Sequence, residues 1–183
     1  MTDFQGQIES GRGKLKELLL KVPGFKGYID MEDRRTADKM VRDIVATRIQ
    51  ELVDKLTGIQ TEFVDRGDLA FLDDLETIVV KLRTFIDRIN HAAYGYSGFF
   101  DVIKIDAEKL DRLYDYDQAL LDGTDMLTAS MDSLASAVEE DQIKALIADL
   151  KNQAAEMVKK ADQRKEEITR EDDIPGDDMI PAE

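Results

Sequence analysis

The stretch Val45-Ala-Thr-Arg-Ile49-Gln-Glu-Leu52-Val-Asp-Lys-Leu56-Thr-Gly-Ile59-Gln-Thr-Glu-Phe63 decides the fold. Its numbered apolar residues recur at alternating steps of four and three. An α-helix turns once every ~3.6 residues, so this spacing lines all six side chains along one stripe. A half-buried strand would need apolar residues at every second position instead. The stripe predicts one long helix over residues 30–66, with an apolar side that other helices must cover. Gly67 is placed to end it, and Asp68 to cap the next helix.

Reading onward, residues 69–95 carry Leu75, Ile78, Leu82, Phe85, Ile89 and Ala92 at the same spacing. Leu72, Val79 and Ile86 widen that stripe beyond a two-stranded seam, which favours a bundle core over a dimeric coiled coil. Residues 106–138, opened by Asp106, carry Leu110, Leu113, Leu120, Leu127, Met131, Leu134 and Val138. Asp117 and Thr124 interrupt this seam, and Gly123 weakens the helix locally. Glu139-Glu140-Asp141 reads as a turn before a helix over 142–169, with Ile143, Leu146, Leu150, Ala154, Met157, Ala161 and Ile168. Ahead of the first long helix, residues 12–22 form a short amphipathic one (Leu15, Leu18, Leu19, Val22) that Pro23-Gly24 ends. The acidic stretch 170–183, with Pro175-Gly176, reads as a disordered tail. The expectation is an all-α fold: an antiparallel four-helix bundle with an additional short N-terminal helix, forming one domain over residues 1–169.

Composition narrows the function. The chain has 183 residues, 43% of them hydrophobic and 36% charged, which suits a packed core beneath long charged helix faces. Its three prolines lie at 23, 175 and 181, outside the long helices. The absence of cysteine removes disulfides, thiolate metal sites and thiol catalysis, and suits a reducing, cytoplasmic setting. No apolar run is long enough to span a bilayer, and residues 1–7 lack the character of a signal peptide. A net charge of −15 repels phosphate backbones and argues against nucleic-acid partners. The charge is uneven: residues 12–26 hold five basic residues against Glu17, and residues 166–183 hold eight acids against Arg170. Solvated ends account for this plainly; attraction between the two ends is the sharper reading.

Short turns between antiparallel helices gather the start of the 30–66 helix, the 91–106 connector and the start of the 106–138 helix at one end. Eight of the twelve aromatics fall there: Phe25, Tyr28, Tyr94, Tyr96, Phe99, Phe100, Tyr114 and Tyr116. Arg34, Arg35, Lys39, Arg42, Asp111 and Asp115 lie close by in this arrangement. Two readings stand. Aromatic rings can plug the end of a bundle core. Tyrosine, phenylalanine and arginine can also anchor a partner protein, with Phe25, Tyr28, Arg34, Arg35, Tyr94, Tyr96, Phe99 and Phe100 as the contact residues.

Catalytic and metal chemistry finds little purchase. A di-iron bundle needs Glu-x-x-His on two helices, whereas His91 is the sole histidine and residue 88 is arginine. In the antiparallel register His91 is expected beside Asp111 or Asp115, in a structural contact. The acidic run Asp111 to Asp117 lacks the spacing and glycine of an EF-hand loop, and no phosphate-binding glycine motif is present. Asp117 falls on the seam, which suits a register device or a partner for a basic residue. No cofactor or metal is expected.

Val22-Pro-Gly-Phe-Lys-Gly-Tyr28, the Arg34-Arg35 helix after it and the later Tyr94-Gly-Tyr96…Phe100-Asp101 stretch resemble an uncharacterised group of prokaryotic all-helical proteins. The resemblance spans about residues 14–160. It implies a helical fold and a signature in the two aromatic loops, and it implies no activity or site.

The leading expectation is a non-enzymatic interaction or scaffold protein that docks a protein partner, or itself, through the aromatic end. A peripheral membrane protein using the basic amphipathic segment 12–28 is the first alternative. A small-ligand binder or enzyme with a pocket around His91, Tyr94 and Asp115 is the second.

Overall fold

The computed structural model describes residues 34–91 and 107–169, which form four helices and, among the described residues, no strand. The helices are α1 (Arg34–Arg66), α2 (Leu72–His91), α3 (Ala107–Ser136) and α4 (Glu140–Thr169), with a single 3-10 turn at Leu69–Phe71 leading into α2. The expected helix over 12–22, the connector over 92–106 and the tail over 170–183 lie outside the described residues. No helix among the described residues is long and apolar enough to cross a membrane.

The four apolar stripes meet in one core. From α1 come Val45, Ile49, Leu52, Leu56, Ile59 and Phe63, and from α2 Leu75, Ile78, Val79, Leu82, Phe85 and Ile89, all buried. Leu113, Leu120, Leu127, Met131 and Leu134 of α3 and Ile143, Ile147, Leu150, Ala154, Met157 and Ala161 of α4 complete it. Each buried Leu, Ile, Phe or Met contributes roughly 1.5–3 kcal/mol relative to exposure, so the packing holds the helices together. Glycine at 123 leaves room for the Met157 side chain of α4: a Cβ there would meet Met157 Sδ, and the flexible Met side chain would have to shift.

The neighbours are specific. α1 packs on α2 and α3, and α4 packs on α2 and α3. The consecutive helices α2 and α3 therefore sit on opposite sides of the core. Side-chain partners between α1 and α2 run in opposite order, Gln60 with Glu76 and Arg42 with Ile89. Those between α1 and α3 ascend together, Arg48 with Asp125 and Lys55 with Asp132, as do Asp74 with Lys151 and Arg88 with Asp162 between α2 and α4. The protein is two helical hairpins laid side by side.

The first hairpin turn depends on one glycine. Gly67 has φ 82°, a left-handed conformation that an L side chain resists. Its amide donates to Val64 O at 3.0 Å and the Asp68 amide to Phe63 O at 2.9 Å, the paired bonds of a Schellman ending. The Phe71 ring then meets Phe63 edge-on at 5.8 Å, and the Arg66 guanidinium lies 4.5 Å from the Phe63 ring centroid. Asp68 does not cap the next helical turn: its side chain makes no cap bond and instead pairs with Arg66 at 3.2 Å. With the chain entering a 3-10 turn, the carboxylate is closer to a cation than to the next free amides.

The second turn is earlier than the acidic triplet suggests, at 137–139, and α4 already starts at Glu140. Glu140 and Asp141 sit in the first turn of α4, where the helix dipole favours negative charge. Glu140 also pairs with Lys144 one turn on, at 2.6 Å. That hydrogen bond and charge hold the Glu140 carboxyl below its ordinary pKa and raise that of Lys144. Because α3 stops at Ser136, Ala137 closes the core and Val138, expected on the seam, is 83% exposed.

Two outcomes test these turns. Gly67→Ala should lower stability by about 1 kcal/mol in urea unfolding, the cost of a left-handed L residue. Lys144→Ala should return the Glu140 carboxyl toward its ordinary pKa in an NMR titration. A group with a lowered folded-state pKa stabilises above its unfolded pKa and loses that stabilisation as pH falls through the folded one. The variant should therefore be slightly less stable than the wild type near neutral pH, and the difference should close as pH falls through the folded-state pKa of Glu140.

Candidate functional site

At the end away from both turns, charged residues enter the stripes. Arg42 comes directly after Val41 on α1 and is buried, and its Nη1 donates to Ile89 O at 3.4 Å. That carbonyl belongs to the last turn of α2, where carbonyls lack helical partners and the dipole is negative. Across the core, Arg164 Nε of α4 donates to Asp117 Oδ1 of α3 at 2.6 Å, with both side chains only 1% exposed. One helical turn further out, Arg112 Nε donates to the buried Glu167 Oε1 at 2.5 Å. Arg88 of α2 pairs with Asp162 of α4 on the outside. Buried Tyr114 lies beside Leu113 in the same part of α3.

These contacts form a polar layer that ties α1 to α2, α2 to α4 and α4 to α3. Arginine suits it, because the guanidinium keeps its charge and spreads several donors in a plane. Removing an ion pair from water is costly, and close geometry with additional hydrogen bonds must offset that cost. Such a layer adds less stability than an apolar one of equal volume. It does fix which side chains face each other.

His91 lies at the same level but faces a different helix from the one expected. Its Nδ1–H donates to Asp87 O at 2.7 Å, a contact within α2. With Thr84, Asp87, Arg88, Ala161, Asp162 and Lys165 it lines a surface cleft of about 480 Å³ between α2 and α4. Asp111 and Asp115 belong to α3, across the core, because α2 packs on α4. The donating Nδ1 leaves Nε2 as an acceptor in neutral His91. Among the described residues no three His, Asp or Glu side chains gather to hold a metal ion.

Of the expected contact residues, Phe25, Tyr28, Tyr94, Tyr96, Phe99 and Phe100 lie outside the described residues. Arg34 and Arg35 open α1, with side chains outside what is described. The segment 92–106 nonetheless joins His91 to Ala107, so both of its anchor points flank the polar layer. Sequence spacing marks Asp117 as a seam residue seeking a cation, and Arg164 is that cation. Sequence spacing alone does not single out Arg42, Arg112 or Glu167 as members of a site. For Arg164 a signal existed, since it stands three positions after Ala161 and four before Ile168, on the seam itself.

No protein-family model matches the chain, and no curated protein or solved structure matches it.

Replacing Arg164 by Met should cost roughly 3–5 kcal/mol, because Asp117 loses its charged partner inside the core. The double replacement Asp117→Leu with Arg164→Met should recover most of that loss, as read by denaturant unfolding of the three proteins.

Proposed function

We propose that this protein is a four-helix bundle of two antiparallel hairpins with heptad seams that acts as a non-enzymatic interaction module. It docks a protein partner, or a second copy of itself, through the end carrying Phe25, Tyr28, Arg34, Arg35, Tyr94, Tyr96, Phe99 and Phe100. The observation that carries this reading is the polar layer, which pins the last turn of α2 and the opening turns of α3 to their neighbours. A recognition segment held at both anchor points loses less freedom on binding than one hung from loose helix ends. Tyrosine and arginine supply the residue types that dominate protein interfaces. The net charge of −15 leaves a protein surface with basic character as the favoured partner and nucleic acid as a disfavoured one.

The test is Tyr96→Ala with Phe99→Ala. Light scattering on the wild-type chain, and calorimetric titration with a partner recovered from its host, establish the complex to be disrupted. The double variant should abolish that complex while its helical circular dichroism stays at the wild-type level. Undiminished binding would refute the docking end, and loss of the helical signal would show the aromatics to be a core plug.

A further inference from the structure

We infer that the charged flanks of the helices select which hairpin face meets which, so that the surface ion pairs are a topology-specifying device. The apolar stripes alone leave the choice nearly degenerate. Apart from Tyr114, the buried apolar residues of all four are Leu, Ile, Val, Phe, Met and Ala. The buried polar contacts, Arg164 with Asp117 and Arg42 with Ile89 O, lie within hairpins and so do not choose between arrangements. The chain connection favours the other arrangement, with α2 beside α3, because these helices are consecutive. The structure instead places α1 beside α3 and α2 beside α4.

The charges match this arrangement on both sides. Arg48 and Lys55 stand one heptad apart on α1 and reach Asp125 and Asp132, also one heptad apart on α3. On the opposite side Asp74 and Arg88, two heptads apart on α2, reach Lys151 and Asp162 of α4. The signs differ between the two sides as well: the first hairpin supplies only cations to α3, but one acid and one cation to α4. All four of these exposed pairs join the two hairpins, whereas Arg112–Glu167 and Arg164–Asp117, each with a buried carboxylate, lie within the second hairpin. Flanking charges of this kind set partner choice in coiled coils, where each pair contributes little to stability but the set discriminates between arrangements.

The experiment uses the full chain, whose lack of cysteine makes labelling clean. Ala70 and Ala148 are exposed and line one cleft between the start of α2 and α4. Ala70→Cys with Ala148→Cys, bridged by a short bis-maleimide, therefore reports α2–α4 adjacency at an interface other than the α1–α3 one that carries the charges to be changed. Reversing two cations, Arg48→Glu with Lys55→Glu, should cut the intramolecular cross-link at least severalfold. Adding Asp125→Lys with Asp132→Lys, which restores the pairs with exchanged signs, should bring the cross-link back to the starting yield. Molar salt should narrow the difference between reversed and exchanged proteins, since the pairs are exposed. A reversed protein that keeps both its helical signal and its full cross-link overturns the proposal. If reversal unfolds the chain, the exchanged protein decides: recovery of fold and cross-link supports the device, and failure to recover overturns it.

Discussion

A helix with apolar side chains at every third and fourth position has a single stripe to hide, and a neighbour can cover only part of it. Four such helices satisfy one another by surrounding a common axis, each giving its stripe to the interior. Everything else in this protein works within that constraint. The turns at Gly67 and at 137–139 must be tight, because the stripes on either side have to stay level. A small residue leaves room for a long one opposite, as Gly123 does for the Met157 side chain. Charged residues can enter only if they arrive with partners, as Arg164 does with Asp117.

The two ends of the molecule use this constraint differently. Toward the turns the core is apolar, with Phe63 and Phe71 closing it under the Arg66 guanidinium. Toward the connector, Arg42, Asp117, Arg164 and Glu167 replace hydrocarbon with directional contacts. An apolar core tolerates some sliding and repacking, whereas a buried ion pair closes in one geometry. The connector end has given up some cohesive energy for positional certainty, which is what the proposed docking role would draw on.

Much of the scaffold was legible in the sequence because periodicity is a local property, repeated many times. The six stripe residues of α1 are all buried, and Gly67 ends the helix by the conformation its lack of a Cβ suggests. Where a single residue has competing partners, its sequence context decides less. Asp68 could cap amides or meet a cation, and Arg66 is nearer. Val138 has the spacing of a seam residue, but the helix stops two positions short of it. The expectation of His91 against α3 fails because turn length fixes the partner within a hairpin and says nothing of how two hairpins lie together. The polar layer is half visible for the same reason: Asp117 and Arg164 each stand on a seam by their spacing, but that the two meet is settled only when α3 and α4 are set together.

The side-by-side hairpins also divide the chain's contacts by distance along it. Within a hairpin, partners near the turn are separated by few residues, such as Gln60 and Glu76, and the loop they close is small. Between hairpins, Arg48 meets Asp125 and Lys55 meets Asp132, each 77 positions away. The entropy of closing a loop rises with its length, so the hairpins are inexpensive to form and their union is the demanding step. Because contact range governs how fast small domains fold, the union of α1 with α3 and α2 with α4 is where the search for the native state is concentrated. The arrangement of helices thus carries a kinetic meaning alongside its structural one.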